Sequence, residues 1–446
     1  MSVQLSDDIV TLPVEACVTS VQPHLSSPVL LLEVTDPLKG EVQVGGAKNS
    51  VLKLMAACLL TDEEVCLHNV PNLSDVQVMA QVVNFLGKRC ELLSDGCFVV
   101  YAGQPTRHEA PYELVSQMRA SFNVLGALLG RCGEARVSLP GGCSIGKRGV
   151  DLHLKGLSTL GAETVLDHGY VHMKACALQG AHITLDFPSV GATENIMLAA
   201  VFAQGTTTIS NVAQEPEIID LVNFLNFLGA DIHGAGTSEI TINGVAKGSL
   251  TGGNYTVVPD RIEAVTYLLL GASRIGSEIL VKDFVPEHLD IVLTKLEDMG
   301  VTLRRVSQGS MLVSCKQRLR PVSILTQPYP GFPTDLQAPF MAALTVAEGT
   351  SVLSETIYEN RFRQVGELER MGASIQISGN VAVVNGVAGL TGTQVEAHDL
   401  RAGAAMIVAA AIAEGETQVT HLHHLDRGYE FLERKLQGLG MRAERH

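Results

Sequence analysis

The sequence predicts an α/β fold made of six copies of one unit, and three observations predict it. A helix-ending pair recurs as Leu86-Gly87, Leu160-Gly161, Leu228-Gly229, Met299-Gly300, Met371-Gly372 and Leu439-Gly440. Successive pairs stand roughly 70 residues apart, a self-similarity that marks a repeated supersecondary unit. Each copy also reads in the same order: a helix rich in Ala and Leu, a Gly turn with a short strand, a second amphipathic helix ending at the marker, then more strand. Helical and strand patterns alternate throughout instead of segregating, which argues α/β layering.

Taken in order, the first helices of the units are predicted near 49–60, 118–131, 193–204, 261–274, 334–348 and 399–414. Lys48, Arg119, Thr193, Arg261, Asp335 and Arg401 stand at or just before their starts. Helix N-termini carry unpaired N–H groups and partial positive charge, so they hold anions well. β-Branched strands follow these helices, as at 135–139, 206–209 and 418–420. Second helices open with Pro or an acid in the first turn, as at Glu215-Pro216-Glu217 and Pro286-Glu287. Units one to three and four to six are expected to form two lobes. The break is expected near the Gly-rich stretch Thr251-Gly252-Gly253-Asn254, with a ligand cleft between the lobes.

Composition narrows the function classes. Hydrophobic residues make up 46% of the 446 and charged ones 18%, enough for large cores, and Trp is absent. The formal net charge of −15 disfavours nucleic acid or an anionic membrane surface as a partner. It leaves room for an anionic small molecule held by a few local cations. No apolar run reaches the length of a membrane span. The nine cysteines form no C-x-x-C pair, and their odd number in a large chain argues against a disulfide framework and for a reducing cytoplasm. Residues 1–29 lie outside the repeats and lack the basic start of a secretory signal; a loosely ordered extension is expected there.

The most distinctive string is Pro140-Gly141-Gly142-Cys143-Ser144-Ile145-Gly146-Lys147-Arg148. Its first part fits a phosphate-binding P-loop, but Arg148 stands where magnesium binding calls for Ser or Thr. The better reading is a Gly-rich loop presenting Cys143, with Lys147 and Arg148 favouring a reactive thiol. Gly45-Gly46-Ala47 precedes Lys48 and Asn49, so backbone and cation could both approach a phosphate. Arg119, Arg401 and Arg427 sit near helix starts, where a cation opposes the helix dipole unless an anion is bound. Asp335 is either an ordinary N-terminal helix acid or a general base. Asp399 and Asp426 read as caps or arginine partners. His423 and His424 lack companions at ligand spacing, so no metal site is expected there.

These strings resemble the enolpyruvyl transferase family in its UDP-N-acetylglucosamine 1-carboxyvinyltransferase branch. The resemblance rests on 45–49, 140–143 with 150–153, 189–195, 215–218, 259–263, 332–335 and 426–429, in order. It implies a two-lobed inside-out α/β barrel of six βαβαββ units, three per lobe. The lobes are expected to be 48–258 and 30–47 plus 259–446. It further implies transfer of enolpyruvyl from phosphoenolpyruvate to the 3′-hydroxyl of UDP-N-acetylglucosamine with release of phosphate, the first committed step of peptidoglycan synthesis, with no metal or organic cofactor.

By that resemblance Cys143 protonates the phosphoenolpyruvate methylene and Asp335 takes the sugar hydroxyl proton. Lys48, Asn49, Arg148, Arg401 and Arg427 hold phosphoenolpyruvate. Arg119, Arg148, Gly149, Val150, Asp151, Leu152, Phe187, Pro188, Ser189, Val190, Asp335 and Ile357 line the nucleotide-sugar site. Two departures stand out: Gly149 replaces a usual proline, and Phe187 stands where some members carry lysine. The rival readings are a sister transferase acting on UMP or shikimate 3-phosphate, and a catalytically idle nucleotide-sugar sensor. Shikimate 3-phosphate is disfavoured by the Pro-Gly-Gly-Cys loop, and the idle sensor by the presence of Cys143 and Asp335. The sequence fixes no oligomeric state.

Overall fold

The computed structural model describes residues 28–94, 96–140 and 149–446. Among these residues the chain forms six four-stranded sheets of one common plan. In four of them, taken in chain order, the first strand runs parallel to the second and the fourth lies antiparallel between the second and third; in the other two the same plan is completed by a strand from the far end of the sequence, 30–33 in the central place or 253–256 at the parallel edge. The sheet of His182–Thr184, Thr206–Ser210, Asp231–His233 and Glu239–Asn243 is representative.

The marker glycines explain why the units repeat so clearly. Gly87, Gly161, Gly229, Gly300, Gly372 and Gly440 all have φ between +88° and +105°. Only glycine adopts that backbone region freely. After each one, the next N–H reaches back to a carbonyl five residues earlier, as Lys88 to Val83 and Met441 to Leu436. This closes the helix in a Schellman motif and turns the chain into the third strand of the sheet.

The predicted first helices form close to where the pattern put them, at Lys48–Ala57, Val124–Cys132, Val190–Ala200, Arg261–Ala272, Gln337–Leu344 and Leu400–Ile412. Short 3-10 turns Arg119–Asn123 and Thr334–Leu336 precede two of them. These helices are almost wholly buried, which is why they are apolar on every side rather than along one stripe. Small residues allow close packing. A Cβ on Gly126 would lie 2.0 Å from the Asn195 carbonyl oxygen, so helices 124–132 and 190–200 touch backbone to backbone.

Two hydrophobic cores result. One gathers buried residues from Leu30 to Val44 and from Ile262 to Ala443; the other spans Val51 to Val257. Three strands join sheets far from their sequence neighbours. Leu30–Glu33 pairs with 417–419 and 442–445, and Lys39–Gln43 with Glu278–Lys282. Gly253–Thr256 pairs with Val65–His68. The Gly-rich stretch at 251–254, expected to mark a break, therefore runs into a paired strand. The chain crosses between the cores a few residues on, where Ala47 N–H donates to Val258 O and Asp260 N–H to Gly45 O.

The cysteine expectation needs correction. Cys66 and Cys97 are joined by a disulfide across 31 residues of sequence. The link is made by strand register, which leaves no mark in the spacing. Cys58, Cys90, Cys132, Cys176 and Cys315 are free. No described helix is long and apolar enough to cross a membrane.

Candidate active site

The crossing of the chain begins the site. Helix Lys48–Ala57 has no side-chain cap of its own. Asp260 supplies one: its Oδ2 accepts from Lys48 N–H at 3.2 Å while its Oδ1 caps helix 261–272 through Ile262 and Glu263. One carboxylate thus serves two helix starts, each otherwise left with orphan donors. Glu263, buried behind it, accepts from Gly45 N–H at 2.8 Å and pairs with Lys435 at 2.7 Å.

Beside these helix starts opens a cavity of about 560 Å³ lined by residues attached to both cores. That volume suits a small-molecule ligand. Lys48, Asn49, Arg119, Gly149, Asp151, Leu152, Phe187, Pro188, Ser189, Val190, Asp335, Ile357, Arg401 and Arg427 all line it. Val150 does not; it packs against the hydrophobic core ahead of helix Asp151–Thr159. Cys143, Lys147 and Arg148 lie outside the described residues, so the loop reading and the roles given to Cys143 and Arg148 have no geometry here.

Two carboxylates organise the cations. Asp75, nearly buried, accepts from Lys48 Nζ at 2.9 Å and from Arg427 Nε at 2.8 Å. Burial pushes its carboxyl up, but Lys48 and Arg427 outweigh that and hold it below the ordinary value. Burial lowers the Lys48 ammonium; Asp75 opposes this, and Arg401 and Arg427 add to it. Asp335 is gripped by Arg401 Nη2 at 2.8 Å and, more closely, by Arg361 Nη2. Burial works against the charge of Arg401, and Asp335 more than restores it. The first turn behind Arg401 is capped by Asp399, whose Oδ1 accepts from Arg401 and Ala402 N–H. Asp426 instead pairs with Arg445 at the surface.

The rest of the wall is built on buried polar networks. Glu355 accepts from Thr326, Thr334 and the N–H groups of Ile357 and Tyr358, which fixes Ile357 against the cavity. Glu217 and Arg261 form a buried two-point pair at 3.0 and 3.1 Å, linking helices 216–227 and 261–272 across the two cores. Burial, with Glu217 adding, pushes the neighbouring Glu215 carboxyl up to about 7. Arg119 donates to the Gly149 carbonyl at 3.1 Å. His153 stacks edge-on against Phe122 and bonds Asn195 at 3.0 Å. Burial, then Arg119, lowers it to about 3, so the ring is neutral at ordinary pH. Phe187 stands partly in solvent at the rim.

Asp75, Arg361 and Glu355 belong to no motif read from the sequence, and Glu217 is read there only as a helix-start acid within 215–218. Asp75 looks like any acid in a helix's first turn. The only available signal was the excess of cations at 48, 401 and 427, which calls for buried carboxylates somewhere.

A cavity walled by paired cations and carboxylates, set between two repeated α/β halves, is the frame in which the chain's relatives are enolpyruvyl transferases. The chain belongs to the EPSP synthase (3-phosphoshikimate 1-carboxyvinyltransferase) family, whose match spans residues 32–436. Within it, the chain is 50% identical over 415 residues to a UDP-N-acetylglucosamine 1-carboxyvinyltransferase 1 of Caldanaerobacter subterraneus subsp. tengcongensis, covering 93% of this chain and 99% of the relative. It is 49% identical over 422 residues to the UDP-N-acetylglucosamine 1-carboxyvinyltransferase of Gloeobacter violaceus, covering 95% and 91%. Among solved structures, the enolpyruvyl transferase NikO from Streptomyces tendae superposes with a TM-score of 0.85 at 28% identity, over 94% of this chain and 99% of that one. EPSP synthase from Acinetobacter baumannii shares the fold, with a TM-score of 0.72 at 17% identity over 94% and 100%.

Proposed function

We propose that this chain transfers the enolpyruvyl group of phosphoenolpyruvate to the 3′-hydroxyl of UDP-N-acetylglucosamine, releasing phosphate, in peptidoglycan synthesis. The observation that carries this reading is the cavity wall, where Lys48, Arg119, Arg361, Arg401 and Arg427 converge on one space. The names of relatives about half identical over nearly the whole chain support the acceptor.

Both substrates are polyanions, and each charge-assisted hydrogen bond contributes roughly 1.5–3 kcal/mol. Lys48, Asn49, Arg401 and Arg427, with Arg148, are proposed to hold phosphoenolpyruvate. Asp75 keeps Lys48 and Arg427 in place until the anion arrives. Arg119, Arg148, the turn 149–152, 187–190 and Ile357 are proposed to hold the nucleotide sugar.

Cys143 gives a proton to the methylene carbon, the sugar hydroxyl bonds to the neighbouring carbon, and Asp335 accepts the hydroxyl proton. Phosphate then leaves as the methyl group gives back a proton and the double bond returns. A positioned acid or base contributes about 10²–10⁴-fold. The bodies 48–258 and 30–47 plus 259–446 are read as lobes that close on the substrates and exclude water.

The test is phosphate release by the purified chain with a panel of acceptors. Release is expected only with phosphoenolpyruvate and UDP-N-acetylglucosamine together. Turnover with UMP and none with the nucleotide sugar would reverse the choice of acceptor.

A further inference from the structure

A second group of chemistry-bearing side chains lies on the sheet of residues 65–68, 90–92, 98–100 and 253–256, and none of its members lines the cavity. Cys66 and His68 alternate along Val65–His68, so they project from the same face. In the antiparallel neighbour Phe98–Val100, Val99 faces Cys66 and Phe98 faces Leu67, which brings Cys97 level with His68. One potential ligand atom from each of Cys66, His68 and Cys97 lies within 4.8 Å of the other two. Among the described residues this is the one group of three or more Cys, His, Asp or Glu so arranged. On the other flank Asn254 stands opposite Cys66, and its Oδ1 is 3.0 Å from His68 Nε2.

We propose that the reduced form of this cluster binds a thiophilic divalent cation of the zinc type through Cys66 Sγ, Cys97 Sγ and one imidazole nitrogen of His68. Two thiolates and an imidazole are a usual zinc donor set, with a fourth position left to water. Tetrahedral bonds to sulfur near 2.3 Å set the two sulfurs about 3.8 Å apart. The strand pair reaches that spacing once the sulfur–sulfur bond is gone, since the Cα atoms already stand 6.3 Å apart. Asn254 supplies the outer partner that zinc-bound histidines need. Its carbonyl accepts Nε2–H, fixes the tautomer and leaves Nδ1 with the lone pair.

The disulfide and the cation site are alternative states of the same sulfurs. A phosphine with one water cleaves the bond, giving two thiols and the phosphine oxide. Binding of the cation releases two protons. A peroxide takes two electrons from the pair of thiolates, re-forms the disulfide and expels the cation; hydrogen peroxide with two protons from solvent leaves as two waters.

The experiment uses the full chain, reduced with a phosphine under argon and titrated with cobalt(II). One equivalent is expected to give thiolate-to-cobalt charge-transfer bands with tetrahedral d–d bands, bleached by zinc. The peroxide-oxidised chain is expected to give none. Cys66→Ser and Cys97→Ser are each expected to abolish the bands, Cys132→Ser to keep them, and Asn254→Ala to weaken binding about 10–100-fold. X-ray absorption on the unmutated zinc-loaded chain, which depends on no variant folding, is expected to count two sulfurs. A reduced chain that yields no thiolate bands, bands that persist in Cys66→Ser or Cys97→Ser, or a sulfur count other than two would overturn the assignment.

Discussion

Replacing Asp75 with Ala tests whether the cavity's cations are held ready for an anion. Its carboxylate lies 2.9 Å from Lys48 Nζ and 2.8 Å from Arg427 Nε, and the side chains are 5%, 12% and 22% exposed respectively. At an effective dielectric near 20, each contact is worth about 5–6 kcal/mol of gross attraction. Desolvation of the carboxylate cancels much of it. Removing the shared partner strands two adjacent cations, a loss of about 3–5 kcal/mol. An oxyanion placed between them should recover about 1.5–3 kcal/mol for each hydrogen bond it accepts. Urea unfolding of parent and variant, with and without saturating inorganic phosphate, reads both quantities. The variant's midpoint should fall well below the parent's in the absence of phosphate, and phosphate should narrow the gap. Equal midpoints would mean that the ion pairs add nothing. A gap indifferent to phosphate would mean that Lys48 and Arg427 belong to no anion site.

Asp335→Asn should lower turnover in the phosphate-release assay by about 10²–10⁴-fold while the chain still folds, its unfolding midpoint falling because Arg361 and Arg401 lose their charged partner; near-normal turnover removes Asp335 from the chemistry. Fosfomycin, an epoxide resembling phosphoenolpyruvate, should add once to the chain and not to Cys143→Ser, as read by intact mass. His153, lowered to about 3 by burial and Arg119, binds a proton in the unfolded chain before it does in the folded one. Stability from this group is therefore present above about pH 6.5 and lost as pH falls, at up to about 1.4 kcal/mol per pH unit. Glu215, raised to about 7, acts in the opposite sense between its unfolded and folded values. The readout is therefore the difference between parent and His153→Gln, whose midpoint should fall less steeply between pH 6.5 and 4.5. Gly46→Ala places a Cβ 1.8 Å from the Asn69 carbonyl oxygen and should cost about 1–3 kcal/mol in thermal unfolding; an unshifted melt contradicts the tight crossing.

The repeats were legible because chirality enforces their signature. A helix that must turn sharply into a strand needs a left-handed residue, and the six glycines supply it wherever the chain does this. The buried first helices were legible from their unbroken Ala and Leu content. Strand exchange was not. Lys39–Gln43 and Gly253–Thr256 pair with partners some two hundred residues away, and hydrogen bonds between backbones leave no local pattern. The break expected near 251–254 has no local mark at 257–260, where the chain passes between the two cores. Gly252 is instead close-packed, its would-be Cβ lying 2.0 Å from the Glu64 carbonyl oxygen. At the candidate site the cations announced themselves by sitting at helix starts where they are unfavourable. Their partners Asp75 and Arg361 did not, because a carboxylate in a first turn and an arginine in a loop are ordinary until the fold brings them to Lys48 and Asp335.

The segments 44–47 and 257–260 run side by side, joined by the bridge between Gly46 and Pro259 and two backbone hydrogen bonds. Two polypeptide segments stitched side by side bend together like the spine of a book, resisting shear far more than rotation. Because Asp260 caps a helix on each side of that spine, the proposed closing of the lobes would turn close to Lys48. In that closure the cation nearest the pivot would move least and those farther from it most.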